Sequence, residues 1–313
     1  MWALGTFRSD QDDPFPGLIV DEQRVIDLSG YGWNGIDQAL QSWSSSAPVL
    51  DNIARGSGGV SLERLEVLAP LVPTQILQSG ANYRKHVLQL VIAEERERGD
   101  VSDAEAEAMG AKIMDDRIAT GEPYIFLGAA SAVTGPYDDV VLPARGEQHD
   151  WELELAVVIG IGGRQISMED AFDHVAGYVI ANDLTTRDLV YRPDLKAIGS
   201  DWLRAKNAPT FLPLGPWIVP AQSVPDPRDL TITLKLNGEV MQDESAADMI
   251  FDVPTLVSYA STLVTLQPGD LILTGSPAGN GMHHRRFLQP GDVIESSITG
   301  LGTQRNVCVS EAP

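Results

Sequence analysis

Two glutamates two positions apart, Glu152 and Glu154 in Trp151-Glu-Leu-Glu-Leu-Ala-Val-Val-Ile159, carry the strongest chemical signal in this sequence. In a strand, residues i and i+2 share a face. Their Cα atoms are then roughly 6.5–7 Å apart. Leu153 to Ile159 is otherwise apolar, the pattern of a strand covered on both faces. Two carboxylates buried there without a counter-charge would be strongly destabilising. A cation between them removes the conflict. The alternative is an exposed edge strand whose polar face carries both acids. Asp183 ends a second strand-like run, Gly177 to Asn182, and a carboxylate at a strand end can join a site on a neighbouring strand. It could equally cap a helix starting within Leu184-Thr-Thr-Arg187, a role open also to Asn182 and Thr185. Three carboxylates form an all-oxygen ligand set suited to Mg²⁺ or Mn²⁺, with positions left for water and substrate. Zn²⁺ is disfavoured, because no Cys or His cluster accompanies them.

Other residues offer chemistry with less specificity. Tyr83, Arg84 and His86 fall in a Gly- and Asn-containing loop, Ser79 to His86. His86 suits proton transfer near neutral pH, although a single histidine is often structural. Arg187 and Lys206 could bind a substrate carboxylate or form surface ion pairs. The loop Thr274-Gly-Ser-Pro-Ala-Gly-Asn-Gly281 can offer a hydroxyl from Thr274 and backbone N–H groups such as that of Gly275 to an anion, or be an ordinary turn. It lacks the lysine and spacing of a P-loop, so nucleotide binding has no support. His149, His174, His283 and His284 show no ligand spacing. There is no Gly-x-Ser-x-Gly elbow, and Cys308 lacks an activating context.

These residues need strands and loops to position them. Trp2 to Phe7, Gly17 to Val20 and Arg24 to Leu28 read as strands, the last two joined by a turn at Asp21-Glu-Gln23. Ile36 to Ala54 has a weak helical spacing, and a boundary near residue 70 divides a small N-terminal domain, residues 1–72, from a catalytic domain, residues 73–313. Residues 85–119 are rich in helix-forming Ala, Glu, Arg and Met. They read as two inserted helices, the second opened by a capping box from Ser102 to Glu105, and they could form a lid or an oligomer contact. Strands return after residue 120, with Val140 to Leu142, Leu153 to Ile159 and Gly177 to Ala181. Asn237-Gly238 marks a hairpin between Leu230–Leu236 and Glu239–Met241. Asp252 and Pro254 open a helix over residues 252–263. The fold class expected is α+β, mainly β.

Composition limits the function classes. Among 313 residues, 43% are hydrophobic and 21% charged, a globular balance. A formal net charge of -22 argues against nucleic-acid and anionic-membrane partners. One cysteine allows no internal disulfide and fits a reducing compartment. The N-terminus has no signal-peptide pattern and no apolar stretch reaches membrane-span length, so the expectation is a soluble, cytoplasmic protein.

Over residues 73–313 the motifs, taken in order, resemble the fumarylacetoacetate hydrolase family. Gly80-Ala-Asn-Tyr-Arg-Lys-His86 is similar to its G-x-N-Y-x-x-H loop, Trp151 to Ile159 to its E-x-E-L strand, and Asn182-Asp-Leu-Thr-Thr-Arg-Asp188 to its N-D-x-[ST]-x-R-D segment. Ala205-Lys206, Leu214-Gly-Pro-Trp217, Thr274 to Gly279, Gly300-Leu-Gly-Thr303 and Asn306 complete the series. The resemblance implies a mixed β-roll core, usually dimeric. It implies Mg²⁺ or Mn²⁺ on Glu152, Glu154 and Asp183, with His86 as base and Lys206 as a second catalytic residue. It further implies substrate contacts from Tyr83, Arg187, Lys206 and Thr274, with Gly275 in the same loop. Three positions depart from the pattern. Gln89 stands where small members carry a glutamate partner for the histidine, Val190 where glutamine is frequent, and the helical insertion is longer. Glu94 or Glu95 could supply the missing carboxylate. Larger members carry an acidic ligand seven residues before the histidine, where this chain has Ser79, so a three-carboxylate site is expected.

The function expected from this resemblance is a metal-dependent hydrolase that cleaves a C–C bond in an acylpyruvate-like or fumarylacetoacetate-like 2-oxo acid, with His86 titrating near neutral pH. The alternative is an oxo-acid decarboxylase, tautomerase or isomerase on the same metal-enolate site, which Gln89 favours. A non-enzymatic module would instead hold a structural ion with no open coordination position.

Overall fold

The computed structural model describes residues 1–9, 13–99 and 101–312. The fold is mixed α and β, mostly sheet. The described residues form 19 strands and seven α-helices. The largest sheet runs in the order Val60–Ser61, Arg24–Asp27, Phe15–Val20, Trp2–Arg8, Leu212–Pro220, Val175–Asn182, Leu153–Ile159, Leu271–Leu273, Ile76–Gly80 and Tyr124–Gly128. The N-terminal strands thus continue the sheet that carries the acidic residues, through Leu4 paired with Ile218. A second sheet orders Glu239–Ser245, Thr231–Leu236, Val293–Ile298, Gly302–Ser310 and Val140–Leu142. Its hairpin turns at Asn237 (φ 54°) and Gly238 (φ 83°), two left-handed residues in succession, as the Asn-Gly pair foretells.

The central strand Leu153–Ile159 is buried along its whole length. Its odd residues Leu153, Leu155, Val157 and Ile159 join one apolar cluster, and its even residues Ala156 and Val158 join another. Both faces are therefore covered, as the continuous apolar run predicts. Glu152 and Glu154 extend the face of Ala156 and Val158. On the neighbouring strand Val175–Asn182, Val179 and Ala181 belong to that same second cluster, and Asp183 follows in phase. Ile76 belongs to it too, with Gln78 two residues on. One face of one sheet thus changes from hydrocarbon to polar at one end, and three strands deliver polar side chains there.

The insertion folds as two helices, Arg84–Arg98 and Asp103–Thr120. Ser102 accepts from the Glu105 N–H, and the Glu105 side chain returns to the Ser102 N–H. Gly110 sits where an added Cβ would lie 2.9 Å from the Leu88 side chain, which lets the two helices pack closely. Cys308 is buried and unpaired. Among the described residues no helix is long and apolar enough to cross a membrane.

Candidate metal and enolisation site

Glu152, Glu154 and Asp183 each offer an oxygen, and these oxygens lie within 4.8 Å of one another. All three residues are buried. The main chain fixes the register: Leu153 pairs with Asn182, and the Asp183 N–H donates to the Glu152 carbonyl at 2.8 Å. Asp183 is not a helix cap, because the chain continues as the short strand Thr185–Thr186.

Each carboxylate is held by named donors. Gly275 N–H donates to Glu154 Oε2 at 2.6 Å. Gln78 Nε2 donates to Asp183 Oδ1 at 2.6 Å. Lys206 Nζ reaches Glu152 Oε2 at 2.5 Å and Asp183 Oδ2 at 2.6 Å. The Arg187 fork spans Asp150 Oδ2 and Glu152 Oε1, both at 2.7 Å. Arg187 and Lys206 are thus neither surface ion pairs nor idle cations. Asp150 also accepts from the Gly281 N–H at 2.5 Å. Four carboxylates face two cations, so two negative charges remain. Burial and the neighbouring Asp183 push Glu154 well above the usual carboxylate range. Burial likewise raises Asp183, although Lys206 opposes it. Burial works against Glu152 too, but Arg187 and Lys206 outweigh it and hold that carboxyl well below its usual range. A hard dication fits this set: oxygen donors only, close together, with a charge deficit of matching size.

His86 occupies the first turn of the helix Arg84–Arg98, with Nε2 3.9 Å from Glu152 Oε1. Its Nδ1 is 3.4 Å from Asn280 Nδ2. Burial lowers its pKa to about 4; the cations Arg187 and Lys206 add to this, while Glu152 opposes it. The expectation of titration near neutrality is corrected accordingly: the imidazole is neutral, the form that accepts a proton. Gln89 accepts from the Gly279 N–H at 2.9 Å. Glu95 is buried and already has an interaction partner. The side chain of Glu94 lies outside the described residues.

These groups open into a cavity of about 600 Å³ lined in part by His86, Glu152, Glu154, Asp183, Arg187 and Lys206. Tyr83 and Thr274 lie just behind, fully buried, with 3.3 Å between their hydroxyls. From that loop Ser276 lines the cavity, while Gly275 spends its N–H on Glu154. Asn82 braces the loops by donating to the carbonyls of Thr274 (2.8 Å) and Phe251 (3.0 Å). Part of the cavity wall, beside Lys206, is aromatic. Phe126 stacks on Trp202 with centroids 4.9 Å apart, and Trp202 Nε1 donates to the Tyr124 hydroxyl at 2.8 Å. Val190 packs with Leu189, Ala205 and Trp202, supporting the helix that presents Lys206. Ser79 lines the cavity, and its buried hydroxyl has no hydrogen-bond partner among the described residues.

Sequence reasoning missed Asp150, Gln78, Asn280 and the aromatic wall. Asp150 had a signal: Asp150, Glu152 and Glu154 alternate, so the acidic face extends one step further back. Gln78 follows two apolar residues in a short buried strand, Ile76–Gly80, and a buried amide asks for a partner.

The family model described as "Fumarylacetoacetate (FAA) hydrolase C-terminal" matches residues 75–309. The chain is 44% identical over 190 residues to the mitochondrial oxaloacetate tautomerase FAHD2A of Bos taurus, covering 60% of this chain and 59% of that protein. It thus spans under two thirds of the length of that relative. It is 33% identical over 319 residues to the mitochondrial oxaloacetate tautomerase fahd2 of Xenopus laevis, covering 96% of this chain and 88% of that one. The crystal structure of maleylpyruvate hydrolase from Sphingobium sp. SYK-6, in complex with manganese(II) and pyruvate, superposes with a TM-score of 0.74 at 26% identity, covering 99% of this chain and all of that one. With a family model spanning most of the sequence and a relative matched almost end to end, this chain belongs to the fumarylacetoacetate hydrolase family.

Proposed function

We propose that this chain interconverts the keto and enol forms of a small 2-oxo acid on a divalent metal. The observation that carries this reading is the juxtaposition of the buried His86 imidazole with three clustered carboxylates in one cavity. Glu152, Glu154 and Asp183 would hold Mg²⁺ or Mn²⁺, whose contribution when bound is to stabilise negative charge on the substrate's 2-oxo oxygen.

The protein's own residues supply the proton chemistry. His86 takes a proton from the carbon next to the 2-oxo group and returns it to the oxygen, giving the enol; the reverse order restores the ketone. Lys206, charged because Asp183 and Glu152 outweigh the effect of its burial, faces the same cavity and favours an enolate-like transition state. Asp150 and Arg187 keep the Glu152 carboxylate oriented. Asn280 stands beside His86 Nδ1 and fixes the ring's orientation. Thr274 and Tyr83 support the loop behind the acids, and the Gly275 N–H steers Glu154.

Tautomerisation is preferred to hydrolysis because Gln89, where a glutamate would assist water activation, is committed to the Gly279 N–H. The two tautomerase relatives support the same choice. Hydrolysis of an acylpyruvate is the second reading, favoured by the likeness to maleylpyruvate hydrolase. The loss of enol absorbance on adding enzyme and Mg²⁺ to enol-oxaloacetate separates the two, run beside a cleavage assay on maleylpyruvate. Accelerated ketonisation that fails in His86→Ala is expected. Cleavage of maleylpyruvate with no effect on the oxaloacetate enol transfers the assignment to the second reading.

A further inference from the structure

The cavity is walled by three permanent cations, and they are not equivalent. Arg187 is matched by Asp150 and Glu152, and Lys206 by Glu152 and Asp183. The third, Arg117, comes from the last turn of the insertion helix Asp103–Thr120. Among the described residues it has no acidic partner. Its guanidinium is anchored by donation from Nη1 to the Ala81 carbonyl at 2.5 Å, and it lies 5.6 Å from the centre of the Phe251 ring. Partial burial disfavours its charge, and no carboxylate offsets that cost. Glu122 also lines the cavity, where its carboxylate acts on the Tyr259 hydroxyl and forms no ion pair with Arg117 among the described residues. One N–H is used, four remain, and the side chain is held by two fixed neighbours. A half-buried arginine fixed in this way is suited to grip a planar anion in two-point fashion.

We infer that Arg117 binds the distal carboxylate of the substrate, so that the acid accepted at this site is a dicarboxylic 2-oxo acid rather than a monocarboxylic one. The acidic cluster takes the 2-oxo acid head, as in the enolisation reading on which this inference rests. Arg117 takes the other end. Because Arg117 belongs to the insertion, the second carboxylate also ties that helix pair to the sheet. Residues 85–119 then have a substrate-recognition role that compact relatives without such an insertion must fill differently.

The test compares L-malate with L-lactate, which share a 2-hydroxy acid head and differ in the distal carboxylate. Calorimetry on the full Mn²⁺-loaded chain should show tighter binding of malate. Arg117→Met should weaken malate binding about 30- to 100-fold, the value of a charge-assisted contact, and leave lactate unchanged. Arg117→Lys should recover part of the loss. Hydrogen exchange in residues 103–120 should slow with malate, but not with lactate or in Arg117→Met. Equal weakening of both ligands, or malate binding indifferent to residue 117, overturns the inference. If the Met variant does not fold by circular dichroism, the Lys variant decides on the same criterion. Deuterium exchange at the pyruvate methyl, followed by NMR, tests enolisation separately. No exchange with an Arg117-dependent malate preference sinks the enolisation reading alone; exchange in a chain with no malate preference sinks the Arg117 assignment alone.

Discussion

The acidic centre and the helical insertion meet at one cavity, yet they are built by opposite means. The centre sits on strands buried on both faces, where each carboxylate accepts from an N–H, a hydroxyl or a cation within 2.5–3.2 Å. The insertion is largely exposed: Met109, Ile113 and Ile118 are each at least 44% accessible. Its ion pairs Lys112–Asp116 and Arg84–Asp115 lie mostly in solvent. Surface pairs of that kind contribute little, whereas breaking a buried one is costly. The proposed chemistry thus draws on side chains held by every neighbour, and the proposed substrate selection on an exposed arm.

Lys206→Met should sharpen this contrast most. It strips the cation from between Glu152 and Asp183, and the metal-free chain should lose about 3–5 kcal/mol in urea unfolding. A loss under about 1 kcal/mol would show that the acids are already protonated and that the centre is not charged as described. Next in size is the response to metal. Mn²⁺ at a hundred times its dissociation constant should stabilise the wild-type chain by about 2.7 kcal/mol. Glu154→Ala should abolish that gain, and an unchanged Mn²⁺ response in it would remove Glu154 from the ligand set. The smallest effect belongs to the insertion. Ser102→Ala removes one half of the capping box and should cost about 1 kcal/mol locally, leaving the Mn²⁺ stabilisation intact. If it reduced the metal response as much as Glu154→Ala, the two regions would be one cooperative unit and the comparison would fail.

What the sequence reveals follows from the range of each interaction. Alternation is local, so Glu152 and Glu154 were legible as a pair on a buried face. So were the Asn237-Gly238 turn and the Ser102 cap, whose geometry is decided within four residues. Pairing across long separations is not written locally. Nothing in Trp2–Arg8 says that it will lie against Leu212–Pro220, nor in Leu271–Leu273 that it will run parallel to Ile76–Gly80. The partners of the acids come from such pairings: Gln78 lies 105 residues from Asp183, and Gly275 lies 121 from Glu154. Arg117 was invisible for another reason. Its helix has almost no amphipathic asymmetry, so no residue on it stands out as inward-facing before the cavity is seen.

The bond from the Gly279 N–H to Gln89 has a mechanical meaning. It clamps the second turn of the helix that bears His86 to the loop flanking the acids, about one turn beyond the imidazole. Any swing of the later turns then has its fulcrum past Gln89. His86 thereby keeps its bearing on the carboxylates, while Arg117, tied to the Ala81 carbonyl and set over the Phe251 ring, fixes the far end of the arm to the same cavity.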